Sequence, residues 1–585
     1  MARKNSISFI KQNKFVLILV LIGLFIFFNS LFNGFVWDDE ELIVNNVIIH
    51  SFSNLTSFFA GGAFNSGGTG SLSGVFYKPI MTLCFSLLYT IFGNRPIVFH
   101  LFSIIIHIIN SILVFFLFKE FFPHLEAKRK ELVSFIVSLF FLLHPLYSEV
   151  VFYISNFQDL LFMFFGLSAF LLILKKRISV VNILLITFLF LCSLLSKETG
   201  LVLIIISSLY SFLFKRKEKG FFWVYIAGFT SVVMYSLMRF GIAKQFFPNN
   251  NLAPIARINL VERLINLPKI LLFYIQNFFV PINFSVNQNW LVKSLNLREF
   301  YIPLIVILVF FTFIFLMTFL LWKKKISLGK LYFFFLSWFI LGLLPHIQIF
   351  PLDATATGRW FYLPSLGLFG MISVLVLLLT DKLKSNQRKT LLIIIILIVT
   401  IFGIRTFVRS FDWRNGLTFY SKEIKLSGDN FSLENNLGVE LYRIGKLDEA
   451  GVHWERSVNL APYWWTNFNN LGVYWQNKND LEKAEGYYLK SIENGNYYLA
   501  FENYALVLLK QKKYTKAKEF LNTNIKYFPQ NTNMIQLLAL SYYFTGDTDT
   551  AIKVVQYLID NSPTENNKKL LDLIQKGGDL SNLFD

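Results

Sequence analysis

Residues 15–39 read FVLILVLIGLFIFFNSLFNGFVWDD, and they decide the fold. The run from Phe15 to Phe32 carries no charge, and as a helix it rises about 27 Å, long enough to cross the apolar part of a bilayer. Two adjacent carboxylates, Asp38 and Asp39, follow Trp37 just beyond its end. Spanning a membrane does not require them, so they ask for a chemical reason. The basic residues before Phe15 give the segment the look of a signal peptide. Its apolar core is too long for one, however, and Asn33-Gly34-Phe35 is not a small-residue cleavage pattern, so a retained anchor is expected.

The rest of the chain repeats the theme. Of its residues 55% are hydrophobic, 68 are Phe and only 16% are charged, a balance that points to a membrane protein. The formal net charge of +19 first suggests nucleic acid. The cations instead gather in short clusters between apolar runs, not along one soluble face, which sets nucleic acid aside. The clusters are Arg3, Lys4, Lys11 and Lys14; Lys128 to Lys130; Lys175 to Arg177; Lys215 to Lys219; Lys323 to Lys325; and Lys382 to Lys389. Placed in the cytoplasm by the positive-inside rule, they orient eleven spans, near 15–32, 97–118, 132–148, 158–174, 179–195, 200–214, 221–239, 301–321, 331–349, 361–380 and 390–407. The N-terminus is then inside and the C-terminus outside. Pro79 to Phe92 reads as a helix lying on the membrane, as does part of Leu260 to Val280. Cys84 and Cys192 lie in apolar segments and indicate neither a disulfide framework nor a metal site.

After Arg409 the chain becomes a repeat. Asn436-Leu437-Gly438 returns as Asn470-Leu471-Gly472, and Ala450 returns as Ala484, Ala517 and Ala551, at steps of 34, 33 and 34 residues. Pro462, Pro529 and Pro563 keep the same frame, and Trp454 and Tyr488 stand four residues beyond an alanine. This is the tetratricopeptide period, small residues marking where paired helices touch. The expected fold is therefore all-α. A polytopic membrane domain spans 1–410, a connector 411–430, four tetratricopeptide repeats 431–565, and a C-terminal cap and tail 566–585.

Asn436, Asn470 and Asn503 recur at one position of the first helix of each unit. An amide both donates and accepts, so such a series can grip an extended peptide backbone of any sequence. It can equally satisfy neighbouring helix ends, and Leu537 breaks it in the fourth unit. The clusters Tyr463-Trp464-Trp465, Tyr487-Tyr488 and Tyr497-Tyr498 suit packing between repeat helices better than stacking on sugar.

Under the orientation above, further ionisable groups fall on the face that carries Asp38. They are His144 and Glu149, Asp159, Lys197 with Glu198, and Asp353 with Arg359. Charges at span ends cost insertion energy, which makes their convergence informative. His107 lies mid-span and reads more readily as a satisfied core histidine.

Taken in order, Phe35-Val36-Trp37-Asp38-Asp39, Tyr77-Lys78-Pro79, Phe99-His100-Leu101 with His107, His144-Pro145-Leu146-Tyr147-Ser148-Glu149-Val150, Asp159-Leu160-Leu161, Leu195-Ser196-Lys197-Glu198 and Arg359-Trp360-Phe361-Tyr362-Leu363-Pro364-Ser365 resemble the transmembrane and tetratricopeptide-repeat-containing O-mannosyltransferases and their bacterial relatives. The resemblance implies a C-superfamily glycosyltransferase that takes a polyprenyl-phosphate sugar on the outer leaflet and passes it to a hydroxyl, with the first acid after the first span, here Asp38, as catalytic. A carboxylate within hydrogen-bond reach accepts the proton of a serine or threonine hydroxyl as the sugar carbon is attacked, and direct displacement inverts the anomeric centre.

Lys197 and Arg359 suit the departing phosphate. Asp39 either positions Asp38 or a divalent cation, or pairs with a nearby cation. His144 and Glu149 either orient the donor sugar, bind a metal or pair with each other. Asn436, Asn470 and Asn503 are the acceptor-binding candidates. Phe157 stands where the family commonly has an arginine, which leaves the sugar open.

The expected partners are a polyprenyl-phosphate-linked sugar, an acceptor protein held by the repeats, and the bilayer. The expected location is a cell membrane, with the repeats extracytoplasmic. Two other readings stand beside this one: a polysaccharide polymerase or ligase, whose chemistry would centre on a large later loop, and a non-enzymatic scaffold, for which the outer-face charges would be accidental.

Overall fold

Inside a bilayer a backbone can satisfy its polar groups only within the segment or in a closed barrel, so runs of Leu, Ile, Phe and Val become helices. The computed structural model describes residues 14–65, 72–73, 76–175, 178–218, 220–246, 252–282, 285–578 and 580. Arg3, Lys4, Lys11, Lys176, Arg177 and Lys219 of the basic clusters, and Asp579 and the last five residues of the expected tail, lie outside the described residues. Two compact units emerge: Met1–Ala63 with Val75–Gly428, and Phe64–Gly74 with Asp429–Asp585.

Among the described residues of the first unit eight helices are long and apolar enough to cross a membrane: Lys14–Phe32, Pro96–Phe121, Ile154–Ile173, Phe221–Ile242, Leu297–Lys324, Ile326–His346, Pro364–Lys382 and Ser385–Trp413. A ninth arises if Ala127–Leu143 and Pro145–Phe152, bent by 48°, count as one span. Pro145 lacks the amide hydrogen that would continue the ladder, which places the bend. Of the eleven expected spans, the remaining two fall on the shorter apolar helices Val180–Ser196 and Gly200–Phe214. At about 1.5 Å per residue these reach only about 25 and 22 Å, short of a typical apolar core. Helix Pro79–Phe92 is shorter still, and Pro268 interrupts Leu260–Phe279.

A two-residue antiparallel ladder joins Asn287–Gln288 to Ala356–Thr357, immediately before Arg359. Most of the segment expected as a connector, 411–428, is part of this unit. Trp413 is fully buried, and helix Gly416–Ser427 is pinned by Glu423, which pairs with buried Arg409 and accepts from the Val286 amide at 2.9 Å. The compact unit therefore runs past the expected boundary at 410, to Gly428.

The second unit contains four helix pairs, Phe431–Arg443 with Leu447–Leu460, Trp465–Asn477 with Leu481–Asn494, Tyr498–Lys510 with Tyr514–Asn524, and Thr532–Phe544 with Thr548–Asn561. Helix Glu565–Gln575 follows. The repeated alanines 450, 484, 517 and 551 are all fully buried. A Cβ added to Gly438 would meet the Trp454 ring at 2.5 Å, and one added to Gly472 would meet Tyr488 at 2.4 Å. Glycine in the first helix thus makes room for the large residue in the second, the packing that the 34-residue period encodes.

Candidate active site

Helix Lys14–Phe27 tightens into a last turn at Phe28–Phe32, and the chain then turns so that Trp37 takes a left-handed backbone, φ +63°. For a bulky residue that conformation costs about 1–3 kcal/mol and persists only where surroundings hold it.

Asp39 is fully buried, and its oxygens are already engaged. Oδ1 accepts from the Ser155 amide at 2.7 Å and the Ser155 hydroxyl at 2.6 Å, and Oδ2 from the Val36 amide at 3.1 Å. It therefore ties the 36–39 turn to the 153–156 segment. Burial pushes its carboxyl up to about 7 against those three donors. Asp38 is half-buried, and the Tyr153 hydroxyl donates to its Oδ2 at 2.7 Å. The second oxygen, Oδ1, makes no hydrogen bond among the described residues. Burial raises its pKa above the usual carboxylate range, while the Tyr153 hydrogen bond and the charge of Arg359 oppose the shift.

Around Asp38 lie Arg359, Asp353 and Lys78, close enough to act on its charge. Arg359 is held by acids. Its guanidinium meets Glu149 at 3.2 Å and Asp353 at 3.6 Å and donates to Asn156 at 3.0 Å, and its amide donates to Glu149 Oε2 at 3.1 Å. Gly358 permits that approach, since a Cβ there would stand 3.1 Å from the Leu146 carbonyl. Lys197, at the end of helix Val180–Ser196, pairs with buried Asp159 at 2.6 Å, and Glu198 pairs with Arg239 at 2.5 Å.

Lys78 differs from these cations. It stands at the start of helix Pro79–Phe92, and its ammonium lies 4.3 Å from the centre of the Phe76 ring and makes no hydrogen bond or ion pair among the described residues. Burial lowers its pKa to about 8, with Glu198 and Asp159 opposing and Lys197 and Arg359 adding to the shift. Its surroundings link the Asp38–Arg359 side of the site to Lys197. Buried atoms without a hydrogen-bond partner among the described residues include Oδ2 of Asp159, Oε1 of Gln158 and Nδ1 of His346, whose ring stacks on Trp360 at 5.0 Å.

The structure thus draws Asp38, Arg359, Glu149, Lys197 and Asp159 into one electrostatically connected group and leaves His144 out. His144 is buried with both ring nitrogens on backbone, Nε2 to the Phe278 carbonyl at 2.9 Å and Nδ1 to the Leu146 amide at 3.2 Å. Its partner is not Glu149, which serves Arg359. His107 is likewise satisfied by Tyr362 at 2.9 Å and the Leu142 carbonyl at 3.0 Å. Phe157 packs on Phe85 with ring centres 6.0 Å apart. No group of three His, Cys, Asp or Glu with metal-holding geometry occurs among the described residues.

Sequence reasoning passed over Tyr153 and Lys78. Lys78 stands inside a quoted motif and could have been found as a cation without an acid nearby in sequence. Tyr153 sits in an aromatic-rich stretch and gave no signal.

In the repeats, the asparagine series forms a hydrogen-bonded chain. Asn503 donates to Asn469 at 3.0 Å, Asn469 to Asn470 at 3.2 Å, Asn470 to Asn435 at 2.8 Å and Asn435 to Asn436 at 3.1 Å. Asn435 and Asn469 are buried, whereas Asn436, Asn470 and Asn503 are half-buried. Asn470 keeps one amide hydrogen and one lone pair to offer. Tyr488 is fully buried and donates to Gln476, so that aromatic position is packing.

No protein-family profile matches the chain. A protein O-mannosyl-transferase of Caenorhabditis elegans is 26% identical over 451 residues, covering 76% of this chain and 63% of the relative. The human protein O-mannosyl-transferase TMTC3 is 24% identical over 498 residues, covering 79% of this chain and 53% of the relative. The chain thus spans about half to three fifths of the length of these curated relatives. Among solved structures, YrrB, described as a TPR protein with an unusual peptide-binding site, is 15% identical and aligns with 28% of this chain and 87% of its own, with a TM-score of 0.25. Across most of its length this chain resembles the transmembrane and tetratricopeptide-repeat-containing O-mannosyltransferases.

Proposed function

We propose that the membrane unit is a glycosyltransferase that moves a sugar from a polyprenyl-phosphate donor to a serine or threonine hydroxyl of a protein at the extracytoplasmic surface. The observation that carries this reading is Asp38: one oxygen held by Tyr153, the other open, and cations opposite. The names of the relatives support the reaction class.

In the proposed step, Oδ1 of Asp38 takes the hydroxyl proton as the acceptor oxygen bonds to the anomeric carbon. The bond from that carbon to phosphate breaks on the opposite face, so the anomeric centre inverts. Negative charge moves onto the lipid phosphate. Arg359 and Lys197 are already largely balanced by Glu149, Asp353 and Asp159, so they add field and geometry. Lys78 supplies the unpaired positive charge that a departing phosphate needs. Were a divalent cation used, Asp38 would help to hold it and it would offset negative charge on the phosphate.

The repeats hold the acceptor, with Asn436, Asn470 and Asn503 pairing to its backbone. The basic clusters of the membrane unit support a cytoplasmic placement of the loops that bear them, with the repeats on the other side of the cell membrane.

The test is Asp38→Asn in purified full-length protein, assayed with polyprenyl-phosphate hexoses and serine- or threonine-containing peptides. Loss of a general base lowers turnover by about 10²- to 10⁴-fold. Transfer by the asparagine variant at the wild-type rate would refute the assignment.

A further inference from the structure

The segment that leads out of the membrane unit contributes to the setting of Asp38. Four aromatic rings from three separate stretches of chain stack behind this acid. Trp37 lies on Tyr153, with ring centres 5.4 Å apart and planes at 20°, and Tyr153 lies on Trp413 at 5.9 Å and 29°. Phe419 closes the group, 4.3 Å from Trp413 and 6.1 Å from Trp37. Trp413 is fully buried, as is Phe419.

The same segment is tied to the turn before Asp38. The Gly34 amide donates to the Arg414 carbonyl at 2.9 Å, and the Asn33 amide side chain to the Ser410 carbonyl at 3.1 Å. Glu423, buried on helix Gly416–Ser427, fastens the other side to Arg409 and the Val286 amide.

We propose that Trp413 and Phe419 are positioning residues: by stacking against Tyr153 and Trp37 they hold the left-handed Trp37 backbone and the Tyr153 hydroxyl, and through them the Asp38 carboxylate. The proposal rests on the reading of Asp38 as the base. Its consequence is that the last stretch of the membrane unit, which carries Trp413 and Phe419, sets the alignment of the acid, so a disturbance there reaches turnover without touching substrate.

Two stacks with no chemical reach of their own would otherwise be simple core. What distinguishes them is the hydrogen bond at their end. The Tyr153 hydroxyl both donates to Asp38 Oδ2 and accepts from the Asp38 amide, at 3.2 Å, so the ring's position fixes backbone and side chain of that residue together.

The test follows the titration of the Asp38 carboxyl by infrared difference spectroscopy on the full chain, its band assigned as the one lost in Asp38→Asn. The charged or titratable groups that face it are Tyr153, Arg359, Asp353, Lys78 and Asp39. Tyr153→Phe, which keeps the ring and removes the donor, is expected to move the titration to higher pH. Trp413→Ala and Phe419→Leu are expected to move it in the same direction, and Trp413→Phe to leave it near wild type.

In the transfer assay the first three variants lose about tenfold in kcat with little change in donor KM. An unmoved band in Tyr153→Phe, or in Phe419→Leu should Trp413→Ala fail to fold, overturns the positioning role. A band that moves in a protein transferring no sugar leaves the positioning role standing and refutes the catalytic reading instead.

Discussion

At the scale of single residues, the pair Asp38 and Asp39 divides by hydrogen bonding. Three donors spend Asp39 on holding the turn, whereas one donor leaves half of Asp38 available. Under the proposed function, the pH dependence of transfer follows from the charge each role requires. Asp38 must be ionised to accept a proton, so the rate rises with pH through a pKa that burial lifts above the ordinary carboxylate value. Lys78 must be protonated to meet phosphate, so the rate falls as pH passes about 8. A bell is expected, and Lys78→Arg, whose guanidinium stays charged, is expected to remove its alkaline limb while Lys78→Gln raises donor KM. An alkaline limb unchanged in Lys78→Arg would assign that limb elsewhere.

The acids and cations of this site were legible in the sequence because charge at a span end is costly and stands out. Their pairing was not. Lys197 and Asp159 are 38 positions apart, and nothing local says that one neutralises the other. Tyr153 was invisible for the opposite reason: among many aromatic residues, only the fold makes one of them a donor to Asp38.

At the scale of elements, the repeat period was the strongest signal in the chain, since each recurring small residue answers a recurring large one. Gly472 faces Tyr488 as Gly438 faces Trp454. Gly472→Val would place branched carbon where the Tyr488 ring already lies, a clash expected to cost about 1–3 kcal/mol. The loss should be local: amides of Trp465–Asn477 and Leu481–Asn494 should exchange hydrogen faster in the full chain, with the membrane helices unaffected. Unchanged protection there would mean that the ring moves aside freely. The asparagines show where periodicity runs out. Asn436, Asn470 and Asn503 were found by spacing, but the chain they form depends on Asn435 and Asn469, one position earlier and turned inward. The doublets Asn435-Asn436 and Asn469-Asn470 are plain in the sequence; that the first member bridges repeats is a property of stacking.

At the scale of the whole molecule, the question is which side of the membrane each unit occupies, and parity answers it more securely than a count. Eleven spans were expected, and eight helices qualify alone. The shorter helices Val180–Ser196 and Gly200–Phe214 follow one another, so crossing or turning back as a pair leaves every later element on the same side. With Pro79–Phe92 lying on the membrane as expected, the bent pair Ala127–Leu143 with Pro145–Phe152 decides the outcome. If it crosses, the total is nine or eleven, and the Lys14 end of the first span and the Trp413 end of the last lie on opposite faces; if it does not, they share one. Lys128, Arg129 and Lys130 at its start favour crossing, because a basic cluster holds that end in the cytoplasm while His144 and Pro145 stand at the far end. Single cysteines at Lys128, Lys323 and Asn479, in a chain with Cys84 and Cys192 replaced, test this in intact cells with a membrane-impermeant maleimide. Labelling is expected at 479 alone. Labelling of 128 together with 479, or of neither 479 nor 128 before the cells are opened, would put repeats and basic loops on the same face and remove the acceptor from the side that carries Asp38.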